Sequence, residues 1–449
     1  MILALLAASI IGFDTVPHLS RPPVALPLPP KVFALPPGPT AKGEWSISRI
    51  GNGGEPYVST DEQGAVYVSS HLPTQVFVSR DWGQSLIRTR EFKDSLGDMV
   101  VLALPGGAMT ASYMTGYDKG MRTQVSNDYG VNFTQGDAPS GRPLDREWMA
   151  YDAKRNRLYM IYSDGYIGGP DSKGVYLSVS TDKGLTWTET TRVDDEPSGN
   201  LAVDPHLVIS DDGKLYGFWT VSKDRDKIES YRSSVSTDQG KSFGNWQTVA
   251  DINHGLGDRQ ERWMLGGMAA KGNDTVTAFY VAYRNVDYDT GSRVALGVVI
   301  RTSTDGGKTF GAPTNVVGDV ESKRSARTVA ATDATIQSKT PWIQVMPWGT
   351  YDKTGKLHIL WFDNRAGMTA KLGKTASVWQ LRHTVLEDGK AVPTSRAVGE
   401  AFAATRPAMD FLCCTADKKY LYATWSQNSD SVRVWDFTGE LWYGRMGLE

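Results

Sequence analysis

Cysteine is nearly absent: the 449 residues hold two, Cys413 and Cys414, adjacent in the chain. Two thiols are too few for a disulfide framework or a thiolate zinc site. Neighbours in a strand point to opposite faces, so both read as small buried packing residues. Net charge is missing too. Formal charge is −2, from 48 Lys+Arg and 50 Asp+Glu, and no long basic run offers a footprint for nucleic acid. Past the first 12 residues, no stretch is long and apolar enough for a membrane-spanning helix. There is no phosphate loop, metal motif or nucleophile elbow. Gly266-Gly267 sits in a strand context and not ahead of a helix, which argues against dinucleotide binding. No cofactor is implied, although calcium needs no signature beyond scattered loop carboxylates.

What is abundant is glycine and aromatic side chains. The chain has 46 Gly beside 14 Trp, 19 Tyr and 13 Phe, the mixture expected of many short strands joined by tight turns. Hydrophobic residues at 40% suffice for a large core. The fold class expected is all-β. Residues 1–15, with the apolar run Ile2 to Gly12, read as a signal-peptide-like leader, so the protein is expected to be secreted, periplasmic or on the cell surface. Residues 16–43 contain nine prolines between Pro17 and Pro39 and read as an extended linker. Order is expected to begin near Glu44.

A repeat organises the remainder. Ser-x-Asp-x-Gly-x-(Ser/Thr/Asn)-(aromatic or Leu) occurs five times, from Ser79, Ser126, Ser180, Ser236 and Ser303, with its aspartates at Asp81, Asp128, Asp182, Asp238 and Asp305. The Asp can accept backbone N–H groups of a tight turn, Gly takes a positive φ, and the final apolar residue returns to the core. The motif therefore builds a hairpin. Paired hydrophobic segments precede each copy, such as Tyr57-Val58 with Val66-Tyr67-Val68, and similar pairs follow the last copy. Each unit reads as a four-stranded blade. Residues 44–449 divide into seven units of 58 or six of about 68, and blades commonly run about 40–50 residues, so seven is favoured. The last unit lacks an outer strand, which Glu44 to Arg49 can supply to close a ring.

These five boxes resemble the Asp-box, or bacterial neuraminidase, repeat, and the chain looks like the sialidase-like superfamily of β-propellers across residues 44–449. That resemblance implies peripheral, structural box aspartates and a site at the mouth of a central channel. It also leaves the chemistry open, since such propellers include sialidases, other glycoside hydrolases, polysaccharide lyases and binding proteins.

Applying the blade map to the mouth selects Arg146, Arg262, Arg284, Arg365 and Arg406 as substrate-binding residues. Glu147, Glu261, Asp363, His71 and His206 are selected as catalytic candidates. Arginine is a planar bidentate partner for carboxylates, so an acidic glycan or glycoconjugate is the expected ligand of a monomeric protein. A sialidase-like site would use the arginines to grip the sugar carboxylate and the acids for proton transfer. The sequence departs from sialidases where they carry Arg-Ile-Pro, having Gly54-Glu55-Pro56 instead. It also has Ser70-His71-Leu72 in the loop of the family's acid/base Asp. A lyase would use His71 or His206 as base, and a non-catalytic glycan- or protein-binding propeller would need neither. His18, His254, His358 and His383 are assigned nothing. Trp348, Trp379 and Trp442 could stack on sugars, but packing between blades suits them better.

Overall fold

The structure, a computed structural model, describes residues 32–35, 42–116, 120–139, 144–164, 174–188, 190–197, 200–224, 227–251, 266–288, 291–316, 343–371, 374–387, 390, 395–404, 407–408, 412–428 and 439–448, with side chains omitted at 223–224, 227–228, 283–288, 291–296, 368–371 and 374–376. The leader, residues 1–15, lies outside them. Seven antiparallel sheets follow one another in the chain. Their innermost strands are Gly54–Thr60, Gly97–Leu104, Leu144–Asp152, Leu201–Ile209, Gly267–Lys271, Gln344–Tyr351 and Cys413–Ala416, which define blades 1 to 7. Each innermost strand packs on the next, and the seventh packs on the first. The ring is closed. No α-helix occurs among the described residues.

Closure follows the expected route. Trp45–Asn52 pairs antiparallel with Glu440–Gly447, so the first long strand is the outer edge of blade 7. One finding differs from the reading of residues 16–43 as a linker. Within that segment Val32–Ala34 pairs with Ser85 to Ile87 and adds a fifth strand to blade 1. The cause is local burial: Phe33 packs edge-on against Phe77, 5.7 Å between ring centres, and Leu35 is buried.

The five box turns share one hydrogen-bond set. In the third blade the Ser180 hydroxyl donates to Asp182 Oδ1 at 2.7 Å, and Gly184 N–H donates to Ser180 Oγ at 2.7 Å. Thr186 N–H and hydroxyl reach Asp182 Oδ1 and Oδ2 at 2.9 and 2.6 Å. The same bonds recur around Asp81, Asp128, Asp238 and Asp305. These carboxylates are engaged by hydrogen bonds of their own turns. Cys413 and Cys414 are buried free thiols, as expected, and burial pushes both thiol pKa values up.

Five innermost strands carry a bulge near their start, at Gly54/Tyr57, Gly97/Val100, Asp145/Trp148, Val203/His206 and Val345/Trp348. Each bulge holds one non-glycine residue at positive φ: Glu55 at 43°, Asp98 at 47°, Arg146 at 57°, Asp204 at 50° and Met346 at 54°. An extra residue in one strand re-aims the side chains around it. The first residues to resume pairing are Tyr57, Val100, Trp148, His206 and Trp348. Four of these are rings that meet across the axis. Trp148 and Trp348, from opposite blades, stand 4.8 Å apart between ring centres, Tyr57 is 5.4 Å from Trp148, and His206 is 5.1 Å from Trp348. An aromatic plug therefore fills the channel, and Trp348 and Trp379 are buried packing residues.

Candidate functional site

Above the plug, the bulges bring charged side chains from blades 1 to 4 to one face. Two layers are distinguishable. Asp98, Arg146 and Asp204 are partly exposed, whereas Glu55, His71, Asp145 and Glu147 are buried behind them. Strained backbone of this kind costs free energy and persists where the surroundings over-determine it.

His71 ends the second strand of blade 1 and lies directly over Gly97. A Cβ at Gly97 would fall 1.7 Å from His71 Cε1, so only glycine admits the ring there. The Asp98 N–H donates to His71 Nδ1 at 3.0 Å, and Glu55 Oε2 stands 3.4 Å from the same nitrogen. A nitrogen that accepts an amide proton is the unprotonated one, which places the proton of a neutral His71 on Nε2. Its basic lone pair is thus already engaged.

Asp98 is the centre of the cluster. Burial opposes its ionisation, yet the Arg146 guanidinium, hydrogen bonds from Glu55 and Asp145, and His71 hold its pKa well below the usual carboxylate range. Its charged form is therefore the favoured one at this position. Glu147 is the opposite case. Burial and the nearby Asp98 charge push its pKa well up, despite a 2.6 Å hydrogen bond from the Ser112 hydroxyl to Oε1. Glu147 Oε2 is buried and has no hydrogen-bond partner among the described residues. Arg146 Nε stands 3.6 Å from Asp204 Oδ1, a loose pair on the partly exposed layer.

Among the described residues, Glu55, His71 and Asp98 also offer ligand atoms within 4.8 Å of one another. These are the residues that could hold a cation, although binding through Nδ1 would displace the Asp98 amide.

Three of the residues selected from sequence, His71, Arg146 and Glu147, thus converge around Asp98. Asp363 and Arg365 form a separate pair on blade 6: Arg365 Nε and Nη2 reach Asp363 Oδ2 at 2.8 and 2.6 Å, and the carboxylate is wholly buried. His206 belongs to the plug. It accepts the Met268 N–H at Nδ1, 3.2 Å away, and burial lowers its pKa to about 3. Glu261, Arg262 and Arg406 lie outside the described residues, as does the Arg284 side chain. Asp98 and Ser112 were missed by the sequence reading. Asp98 had a signal, because Gly97-Asp98 occupies in blade 2 the place of Gly54-Glu55 in blade 1. Ser112 had none.

The plug histidine yields a pH prediction. Its folded pKa lies below the ordinary 6.5, so the unfolded chain takes up this proton first, and the stabilising contribution present above pH 6.5 is lost as pH falls toward about 3. In urea titrations between pH 4 and 8, His206→Phe is expected to be less stable than wild type at pH 7 by about 1–3 kcal/mol, because the Met268 N–H loses its acceptor. The deficit should shrink in acid. A constant deficit across that range would refute the assignment.

No family model matches the chain, and no curated protein matches it either. Solved structures do. A polysaccharide lyase is similar at 8% identity and TM-score 0.48, over 90% of this chain and 91% of its own. A Hadza microbial sialidase is similar at 12% identity and TM-score 0.44, over 87% of this chain and 74% of its own. An α-L-arabinofuranosidase from Fusarium graminearum is similar at 12% identity and TM-score 0.41, over 89% and 98%. Identities this low do not assign a substrate, which must be read from the residues themselves.

Proposed function

We propose that the protein processes glycans by hydrolysis at the Asp98 cluster. The observation that carries this reading is that two neighbouring carboxyl groups are pushed in opposite directions: the Asp98 pKa is held well below the usual carboxylate range and the Glu147 pKa is pushed well above it. Glycoside hydrolysis requires one carboxylate to stabilise or attack the sugar cation and one acid to supply a proton. Asp98, partly exposed, takes the first role. Glu147, whose pKa is pushed up, supplies the second. Arg146 is the described cation placed to meet a sugar carboxylate, so a sialidase-like exohydrolase acting on an acidic glycan is the finer reading, in a monomeric protein exported by its leader. No helix among the described residues is long and apolar enough to cross a membrane. A lyase is less well supported, because the His71 lone pair it would use as a base already accepts the Asp98 amide.

Incubation with sialylated, neutral and uronate-containing glycans, followed by mass spectrometry, tests this. Saturated sugars gaining one water are expected, with sialylated substrates preferred. Unsaturated products would establish the lyase, and glycan binding without turnover would establish a binding protein.

A further inference from the structure

The seam between blades 6 and 7 contains a buried chain of titratable groups with no part in the chemistry above. His358 Nε2 lies 3.2 Å from Asp352 Oδ2, and His358 Nδ1 lies 3.0 Å from His383 Nε2. The two rings are parallel, 5.2 Å apart, and both are about 98% buried. One proton on His358 Nε2 and one on His383 Nε2 satisfy both bonds with neutral rings. His383 Nδ1 is then left as a bare lone pair, buried and without a hydrogen-bond partner among the described residues.

Packed against the His383 ring is the strand that closes the ring of blades. Trp45, the first residue of Trp45–Asn52, stands edge-on to His383 at 5.6 Å and 87°, and its own Nε1 is also buried without a partner. The start of the same strand is tied to blade 6 by Arg396, which lies opposite His383 in the register and donates to the Gly43 carbonyl at 3.1 Å. The charged neighbours can be named element by element. His358 faces His383 from the second strand of blade 6, with Asp352 behind it. Lys356 is beside Asp352 and pairs with Glu387 at 2.5 Å. Arg396 faces it from the outer strand, and the closing strand contributes the uncharged Trp45. Burial opposes a positive charge on His383, and Arg396 adds to that penalty.

We propose that this seam is an acid-releasable latch: His383 Nδ1 takes a proton from solvent only when Trp45 lifts away, so acid shifts the closing strand Trp45–Asn52 from docked to open. The proton adds to a lone pair and no other bond need break except the contacts of the strand itself.

Hydrogen exchange of the full chain at pH 7 and pH 5, corrected for intrinsic rates, tests this. Amides of Trp45–Asn52 are expected to lose protection by about 30-fold at pH 5, the factor by which an exposed histidine of ordinary pKa gains its proton there. Amides of Gln247–Asp251, the outer strand of blade 4, serve as the internal control and should change less than threefold on the same scale. His383→Phe should remove the difference between the two strands. Equal loss in both strands, unchanged protection of Trp45–Asn52, or an undiminished difference in His383→Phe would each overturn the proposal.

Discussion

Asp98→Asn lowers kcat by about 100-fold or more with little change in KM, the scale of effect expected when a positioned proton-transfer or charge-stabilising group is removed. The substitution keeps the size of the side chain and its ability to accept hydrogen bonds, but it cannot ionise. The negative charge that Arg146 favours at this position disappears, and with it the repulsion that helps keep Glu147 protonated. Glu147→Gln retains a partner for the Ser112 hydroxyl while removing the acidic proton, so it should cost a comparable factor. The double variant should be scarcely worse than either single one, since the two groups act as a unit. The pH profile distinguishes their roles. Asp98→Asn should erase the acidic limb, and Glu147→Gln the alkaline limb. Wild-type kcat in Asp98→Asn would remove the cluster from the mechanism.

Trp348→Ala is expected to destabilise the ring by about 3–5 kcal/mol, read from the urea midpoint at constant slope. Most core substitutions disturb one blade. This one empties the centre of the plug, where the Trp348 ring contacts Trp148, His206, Tyr57 and Phe279, drawn from four other blades. No neighbour can relax into the space without leaving its own blade, so the cavity term should be near its upper value. Tryptophan fluorescence at Trp148 should change in parallel. A loss below about 1 kcal/mol would mean that the plug collapses around the gap.

The periphery of this molecule was legible in its sequence and the centre was only partly so. Ser-x-Asp-x-Gly turns must use particular residue types, because one carboxylate, one hydroxyl and one positive-φ glycine are each needed, and the five copies therefore announce the blades. The closing strand could be deduced by counting the strands left over at residue 443. The bulges could not be read this way. Glu55, Asp98, Arg146, Asp204 and Met346 occupy one backbone conformation with four different side-chain types, so tertiary packing imposes a geometry that no local preference records. Once that geometry is known, the plug rings fall two residues later in four of the five strands. His206, selected as a catalytic candidate by its position before a strand, is turned by its bulge into the plug beneath the mouth. His71, selected by its position after a second strand, is brought into the cluster. Asp363 and Arg365, selected for the mouth, pair with each other.

The pairing of Trp45 with Met446 has a consequence for how the protein is made. A ribosome adding about 5–20 residues per second needs roughly 20–80 s to travel from one partner to the other. Blades 2 to 6 hold strands drawn from consecutive stretches of chain and can assemble in order of synthesis. Through that interval the strand that will seal the ring has no edge to pair with, and its apolar residues Trp45 and Ile47 stay uncovered. The nascent protein thus carries an unpaired, aggregation-prone edge at Trp45–Asn52 until Glu440–Gly447 is released. Truncation before residue 440 would make that transient state permanent, leaving six finished blades and an open ring.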